Sequence, residues 1–245
     1  RLLQVYESAS AHPRRRVREH SALVSVVSEQ VARRCQIPEH RRPLPKKVLL
    51  ASLDYPRTGG VTSHIRRLMR GLRQSGYVVD VLHPAGFAHT WPVVREVRKH
   101  LELGEGGHIP SSWQRYWDEQ ALDLQYAYAW ALERGLAWDL IHCHDAVCAA
   151  RPASVSTVPI ILTLHNTIVS EEVAMGNVQP GSAEEAYLQL LEASAMASAS
   201  AVIAVSTRVR DAIVHAYPDF GIYSVPNWVD TDQFRPLGNK RELRR

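Results

Sequence analysis

The 245-residue chain lacks most features that would settle its class at once. No apolar run approaches the roughly 20 residues a membrane span needs, and the start carries no signal-peptide pattern. Cysteine is scarce: Cys35, Cys143 and Cys148 are an odd number without CxxC spacing, so a reducing, cytoplasmic setting is expected. There is no GxGxxG fingerprint for a nicotinamide dinucleotide, no GK[ST] phosphate loop and no GxSxG nucleophile elbow. The acidic pairs Glu171-Glu172 and Glu184-Glu185 are adjacent in sequence, so on a helix they diverge and suit solvated helix starts better than paired acid/base chemistry. No internal repeat or low-complexity tract is evident. The chain opens on Arg1 rather than Met, which points to a piece of a longer protein.

What is present is ordinary for a globular protein: 45% hydrophobic and 22% charged residues, with length enough for a full core. Charge is unevenly placed. Residues 1–47 carry 11 Lys/Arg against 4 Asp/Glu, a net +7, whereas residues 48–245 carry 18 against 21, a net −3. Residues 17–35 have the apolar periodicity of an amphipathic helix, with Val17, Val24, Val27 and Val31 near one face. Pro38, Pro43 and Pro45 then mark a stiff linker, so 1–45 is expected to be a basic helical arm ahead of the main domain. Arg14, Arg15, Arg16 and Arg18 suit an anionic surface such as lipid, and peripheral membrane contact is one expectation. A solvated face, or a patch against an acidic neighbouring domain, explains the same charge.

From residue 47 onward, strand and helix patterns alternate. Residues 48–53 read as a strand, and Thr58-Gly59-Gly60 as a tight loop. Val61, Ile65, Leu68 and Leu72 then recur at helical spacing up to Gly76. Further strands are expected at 77–83, 139–142, 159–164, 201–205 and 222–225, and helices at 92–101, 113–134, 184–199 and 207–216. Gly104–Gly107 reads as a loop, and Trp113, Trp117, Leu124 and Tyr128 as an aromatic stripe of core or cleft wall. This order predicts an α/β, Rossmann-like parallel sheet covered by helices on both faces.

Three loops that follow expected strands carry polar chemistry, which is where open α/β sheets place ligands. At Gly59-Gly60 the backbone is accessible and a helix N-terminus follows, which suits phosphate or sugar contact; a plain glycine turn explains it equally. In Ile141-His142-Cys143-His144-Asp145, residues two apart point the same way, so His142 and His144 share a face and Cys143 packs away from it. With His165, that pair invites a zinc reading, but the HxHxDH pattern and a carboxylate cluster are missing. The third loop, His165-Asn166-Thr167, is either a site loop or a turn that caps the next helix.

Taken together, five segments resemble the N-terminal half of the retaining glycosyltransferases of group 1 (family 4), which have the GT-B fold of two facing Rossmann-like domains. They are KVLLASLDYPRTGGVTSHIRRLMRGLRQSGYVVDVL, DLIHCHD, VPIILTLHN, ASAVIAVSTRVRDAI and YSVPNWVDTDQFRP, in that order over residues 47–236. The last is similar to the family's PNGVD…F.P signature, with Trp228 where glycine is usual. The arm before residue 45 has no counterpart in the resemblance.

The resemblance implies a domain at 46–236, with 237–245 opening the link to a C-terminal domain that this stretch lacks. It implies a nucleotide-sugar donor and an acceptor that is a carbohydrate, lipid or small molecule, with no metal or other cofactor and no nucleic-acid partner. By position, Gly59 and Gly60 lie against the donor, His144 is the cleft histidine at the reacting centre, and Asp145, His165, Asn166, Ser206 and Arg208 fall on the acceptor side. Asn227, near the crossover between domains, has a structural place. The leaving diphosphate needs backbone dipoles and cations, and a protonatable histidine suits the cation-like sugar centre. Retention without an obvious nucleophile implies front-face attack, and the fragment alone is expected to be inactive. The alternatives are a non-catalytic sugar- or anion-binding module on the same fold, and a zinc hydrolase using His142, His144 and His165.

Overall fold

The computed structural model describes residues 46–83, 112–133, 135–150 and 156–227. The expected basic arm and linker at 1–45, the helix at 92–101, the Gly104–Gly107 loop, Trp228 and the segment after it lie outside the described residues. So do the side chains of Trp113 and Trp117.

Six strands form one parallel sheet: β1 (Lys47–Ala51), β2 (Val78–Leu82), β3 (Leu140–Cys143), β4 (Ile160–Leu164), β5 (Ala201–Ala204) and β6 (Ile222–Ser224). Their spatial order is β2-β1-β3-β4-β5-β6. The inner strands β3, β4 and β5 are buried along their whole length, as unbroken apolar runs require in a sheet covered on both faces. The edge strands are less protected, with Val78 and Tyr223 exposed.

Side-chain parity divides the core in two. Val48, Leu50, Leu140, Ile161 and Ile203 pack with Ile65, Leu68 and Leu72 of helix α1 (Gly60–Gln74). Leu49, Ala51, Ile141, Cys143, Ile160 and Leu162 face the other way. There they meet α2 (Ser112–Glu133), α3 (Ala146–Ala150), α5 (Ala183–Ser198) and α6 (Thr207–Ala216). Cys143 and Cys148 are free thiols sealed in this second core, and burial pushes both well above the usual thiol range. Leu124 and Tyr128 of α2 join it too, with Tyr128 stacked on Trp138 at 5.7 Å, so this part of the aromatic stripe is core.

The local signals act as their chemistry dictates. Helix α1 stops at Gly76, whose φ of 87° lets Gly76 N–H reach Arg73 O and Tyr77 N–H reach Leu72 O. Ser206 caps α6 by accepting from Val209 N–H at 3.1 Å, and Ser182 caps α5 by accepting from Glu185 N–H at 3.2 Å. The short helix α3 was not expected, being too brief at five residues to show a period, while α4 (Ile168–Ala174) is the helix that the His165-Asn166-Thr167 turn caps in one of its two sequence readings. Among the described residues, no helix is long and apolar enough to cross a membrane.

The strand order sets the site. The chain moves from β1 outward to β2, then returns past β1 to β3 and continues to β6. The connections therefore part between β1 and β3, opening a crevice beyond Ala51 and Cys143.

Candidate functional site

Helix α1 begins at the rim of that crevice. Gly59 and Gly60 are exposed, and a Cβ added at either would meet nothing within 4 Å. Gly59 has extended backbone, φ 165° and ψ 178°, which any residue adopts. Neither packing nor backbone strain therefore demands glycine here. What the two residues provide is an uncovered run of backbone at a helix start, open to an anion or sugar.

Across the crevice, β3 delivers its histidines as period two requires. His142 and His144 share a face and stack at 4.4 Å with an interplanar angle of 24°. His142 is fully buried, and its Nε2 lies 2.7 Å from Thr163 Oγ1 on the next strand. His144 is the residue that leaves the sheet. Its N–H still donates to Ala51 O at 2.9 Å, and its ring reaches the end of β4, where Nδ1 lies 3.5 Å from His165 Nε2. Only 3% of His144 is exposed, yet its Nε2 has no hydrogen-bond partner among the described residues.

A third imidazole comes from a part of the chain that sequence reasoning passed over. His64, in the first turns of α1, meets His165 edge-on at 4.9 Å and His144 at 5.3 Å. Its Nδ1 lies 2.9 Å from Oδ1 of Asn227, beyond the end of β6. An imidazole just after a glycine loop, at the helix end nearest the strand termini, was the available signal. The converging set is therefore His64, His144 and His165, one nitrogen from each lying within 4.8 Å of the others. This corrects the expected zinc trio: His142 is held inside the sheet by Thr163 and does not join the cluster.

Burial governs the electrostatics. It holds His142 and His144 well below the ordinary imidazole range, and the neighbouring rings push the same way. His165 is lowered to about 4, mainly by burial and then by His64; His64 is lowered by burial, against its bond to Asn227. At neutral pH the cluster is uncharged. The protonatable histidine implied at this position is thus a neutral ring at rest, offering one donor and one acceptor.

Asp145 turns inward. Oδ2 accepts from Leu53 N–H at 2.9 Å and from the Cys148 thiol at 3.1 Å, while Oδ1 accepts from Cys148 N–H at 2.7 Å. The carboxylate caps α3 and ties the loop after β1 to the end of β3. Those bonds occupy the group that was expected to meet an acceptor. Asp145→Ala would strand two N–H groups in a buried setting and lose a cap, so a destabilisation of about 2–4 kcal/mol is expected in urea denaturation. A change below about 0.5 kcal/mol would reject this bracing role.

The loop after β4 serves both roles left open from sequence. Thr167 caps α4, its Oγ1 accepting from Ser170 N–H at 3.1 Å, while His165 projects to the cluster. Asn166 is exposed, and its Oδ1 accepts from Ser170 Oγ at 3.1 Å. Beneath the loop lies Glu192, 1% exposed, whose carboxyl accepts from Ile168 N–H and, at 3.0 Å, from the Tyr217 hydroxyl. Burial lifts Glu192 to about 7 against those bonds. Ser206 and Arg208 follow β5 instead; Ser206 is spent on its cap and Arg208 is exposed. Among the described residues, no hydrogen bond or ring contact joins either to the imidazoles.

A family model described as Glycosyltransferase Family 4 matches residues 58–233. Among solved structures, the chain is similar to a sucrose-phosphate synthase from Thermosynechococcus elongatus, with 15% identity and a TM-score of 0.54 over 81% of this chain and 52% of that one. It is also similar to the catalytic domain of starch synthase IV from Arabidopsis thaliana bound to ADP and acarbose, with 15% identity and a TM-score of 0.45 over 77% and 52%. The chain spans about half the length of both. A search of curated protein sequences found no match.

Proposed function

As the chain belongs to glycosyltransferase family 4, we propose that it is the acceptor-side, Rossmann-like domain of a retaining glycosyltransferase that moves a sugar from a nucleotide-sugar donor to an acceptor. The observation that carries this reading is His144: buried at the crevice between β1 and β3, with an Nε2 that finds no hydrogen-bond partner among the described residues. An unpaired buried nitrogen costs stability in the absence of a ligand, and a sugar hydroxyl satisfies it. The exposed Gly59-Gly60 backbone supports donor diphosphate contact on the facing lip.

The roles follow from protonation and placement. A neutral His144 hydrogen-bonds the transferred sugar rather than opposing its developing positive charge. His165 and Asn166 meet the acceptor from the β4 side, and Arg208, exposed beyond β5, suits an anionic acceptor group. Asp145 acts through the loop it braces, and Ser206 through the α6 cap. The remaining donor contacts belong to a second domain, so this stretch alone is inactive. Transfer uses no metal.

The intact protein, incubated with a panel of nucleotide sugars and candidate acceptors in the presence of EDTA, is expected to release nucleotide diphosphate and glycosylate an acceptor. The 245-residue stretch alone is expected to do neither. Gly60→Ala should raise the donor KM about tenfold while leaving the melting temperature unchanged or slightly higher. Robust turnover by the stretch alone would overturn the shared-site reading. Intact protein that consumes no nucleotide sugar would overturn transfer itself, in favour of a non-catalytic binding module.

A further inference from the structure

We propose that His64, His144 and His165 form a binding site for a transition-metal dication of the zinc class. The three residues come from the start of α1 and the ends of β3 and β4, and one nitrogen from each lies within 4.8 Å of the others. His144 Nδ1 and His165 Nε2 are 3.5 Å apart, longer than an ordinary hydrogen bond. That spacing is close to the edge of about 3.4 Å expected between two nitrogens bound tetrahedrally to zinc at about 2.05 Å.

Two further features mark a built site. An amide oxygen only accepts, so the contact to Asn227 Oδ1 at 2.9 Å puts the proton of His64 on Nδ1 and its lone pair on Nε2. This is how metal-binding imidazoles are commonly oriented, by a carbonyl or carboxylate on the far nitrogen. His144 is 3% exposed and turns its Nδ1 toward His165, so the cluster is not a chance grouping of surface side chains.

The donor chemistry selects the ion. Three imidazoles without a carboxylate favour zinc, cobalt, nickel or copper over magnesium and calcium, which take oxygen ligands. Asp145, next to His144 in sequence, is committed to Leu53 and Cys148. Three protein ligands leave a fourth position for water or a sugar oxygen. One consequence rests on the proposed transferase reading: a dication on His144 Nδ1 sits beside the sugar that Nε2 meets and opposes its developing positive charge, so zinc inhibits a reaction that proceeds in EDTA. Binding itself does not depend on that reading.

The test is metal content and spectrum, not activity. Chelator-treated intact protein is equilibrated with zinc and dialysed, and its metal is measured; cobalt is titrated in parallel and followed by its visible absorption. The wild type is expected to hold one more zinc per chain than His64→Ala/His165→Ala, and to give the intense bands of tetrahedral cobalt. Asn227→Ala should weaken affinity about tenfold, and excess magnesium should not displace the metal. Equal zinc in the wild type and a double variant that melts normally would overturn the site. If the double variant fails to fold, undiminished affinity in Asn227→Ala together with octahedral cobalt would overturn it. Zinc binding without inhibition of transfer would overturn that consequence.

Discussion

His144→Ala is expected to slow sugar transfer by the intact enzyme about 10² to 10³-fold, the loss typical of removing one preorganised polar group from a water-excluded site. The effect belongs mainly in kcat, because an interaction that tightens at the reacting centre is lost from the transition state more than from the bound donor. Truncation also removes a ring stacked on His142 at 4.4 Å, which should cost about 2 kcal/mol of stability. Melting curves must therefore accompany the rates. His144→Asn, neutral and able to donate and accept, is expected to restore part of the rate. Wild-type turnover in a folded His144→Ala protein would remove the central role given to this residue.

The second large effect is a loss of stability in acid, measured in metal-free buffer with EDTA. His165 moves from 6.5 unfolded to about 4 folded, so between those values the unfolded chain binds more protons. Its contribution is complete above pH 6.5 and disappears as pH falls toward 4, a loss of roughly 2–3 kcal/mol. His142, His144 and His64 are displaced in the same direction by burial. Glu192 opposes them. Raised from 4.5 to about 7, its carboxyl favours the folded state below 4.5 and loses that advantage as pH rises through 7, again by roughly 3 kcal/mol. Four imidazoles outweigh one carboxyl, so the melting temperature should fall as pH drops from 6.5 toward 4.5. Glu192→Gln isolates the opposing slope: it should raise the melting temperature at pH 8, where Glu192 is ionised, and change little at pH 5, where it is already protonated. A melting temperature constant from pH 8 to 4.5 would contradict the dominance of the imidazoles, and a Glu192→Gln effect at pH 8 no larger than at pH 5 would contradict the assignment of Glu192.

Much of this architecture was legible in the sequence because its signals are periodic. VLLA, IILTL and AVIA read as buried strands, Ile65, Leu68 and Leu72 as one helix face, and Gly76 as its stop. The same periodicity correctly put His142 and His144 on one side and Cys143 on the other. What stayed hidden depended on contacts between distant segments. The hold of Thr163 on His142 follows from the register of β3 against β4, and spacing within one strand cannot report it. Asp145 beside a cleft histidine suggests ligand contact until Leu53 and Cys148 are seen to use its carboxylate. His64 is 80 positions from His144, and only the return of the chain past β1 brings them together.

The sealed pair of thiols supplies a clock for the fold. Alkylation requires an accessible thiolate, and Cys143 and Cys148 are buried with their ionisation pushed well above the usual range. Neither reacts until the layer formed by β3, α3 and their neighbours parts. With Cys35 replaced by serine, the labelling rate therefore counts openings of the scaffold that holds His144. A ligand that fills the crevice and steadies those elements would lengthen the interval between labelling events, even before its chemistry is identified.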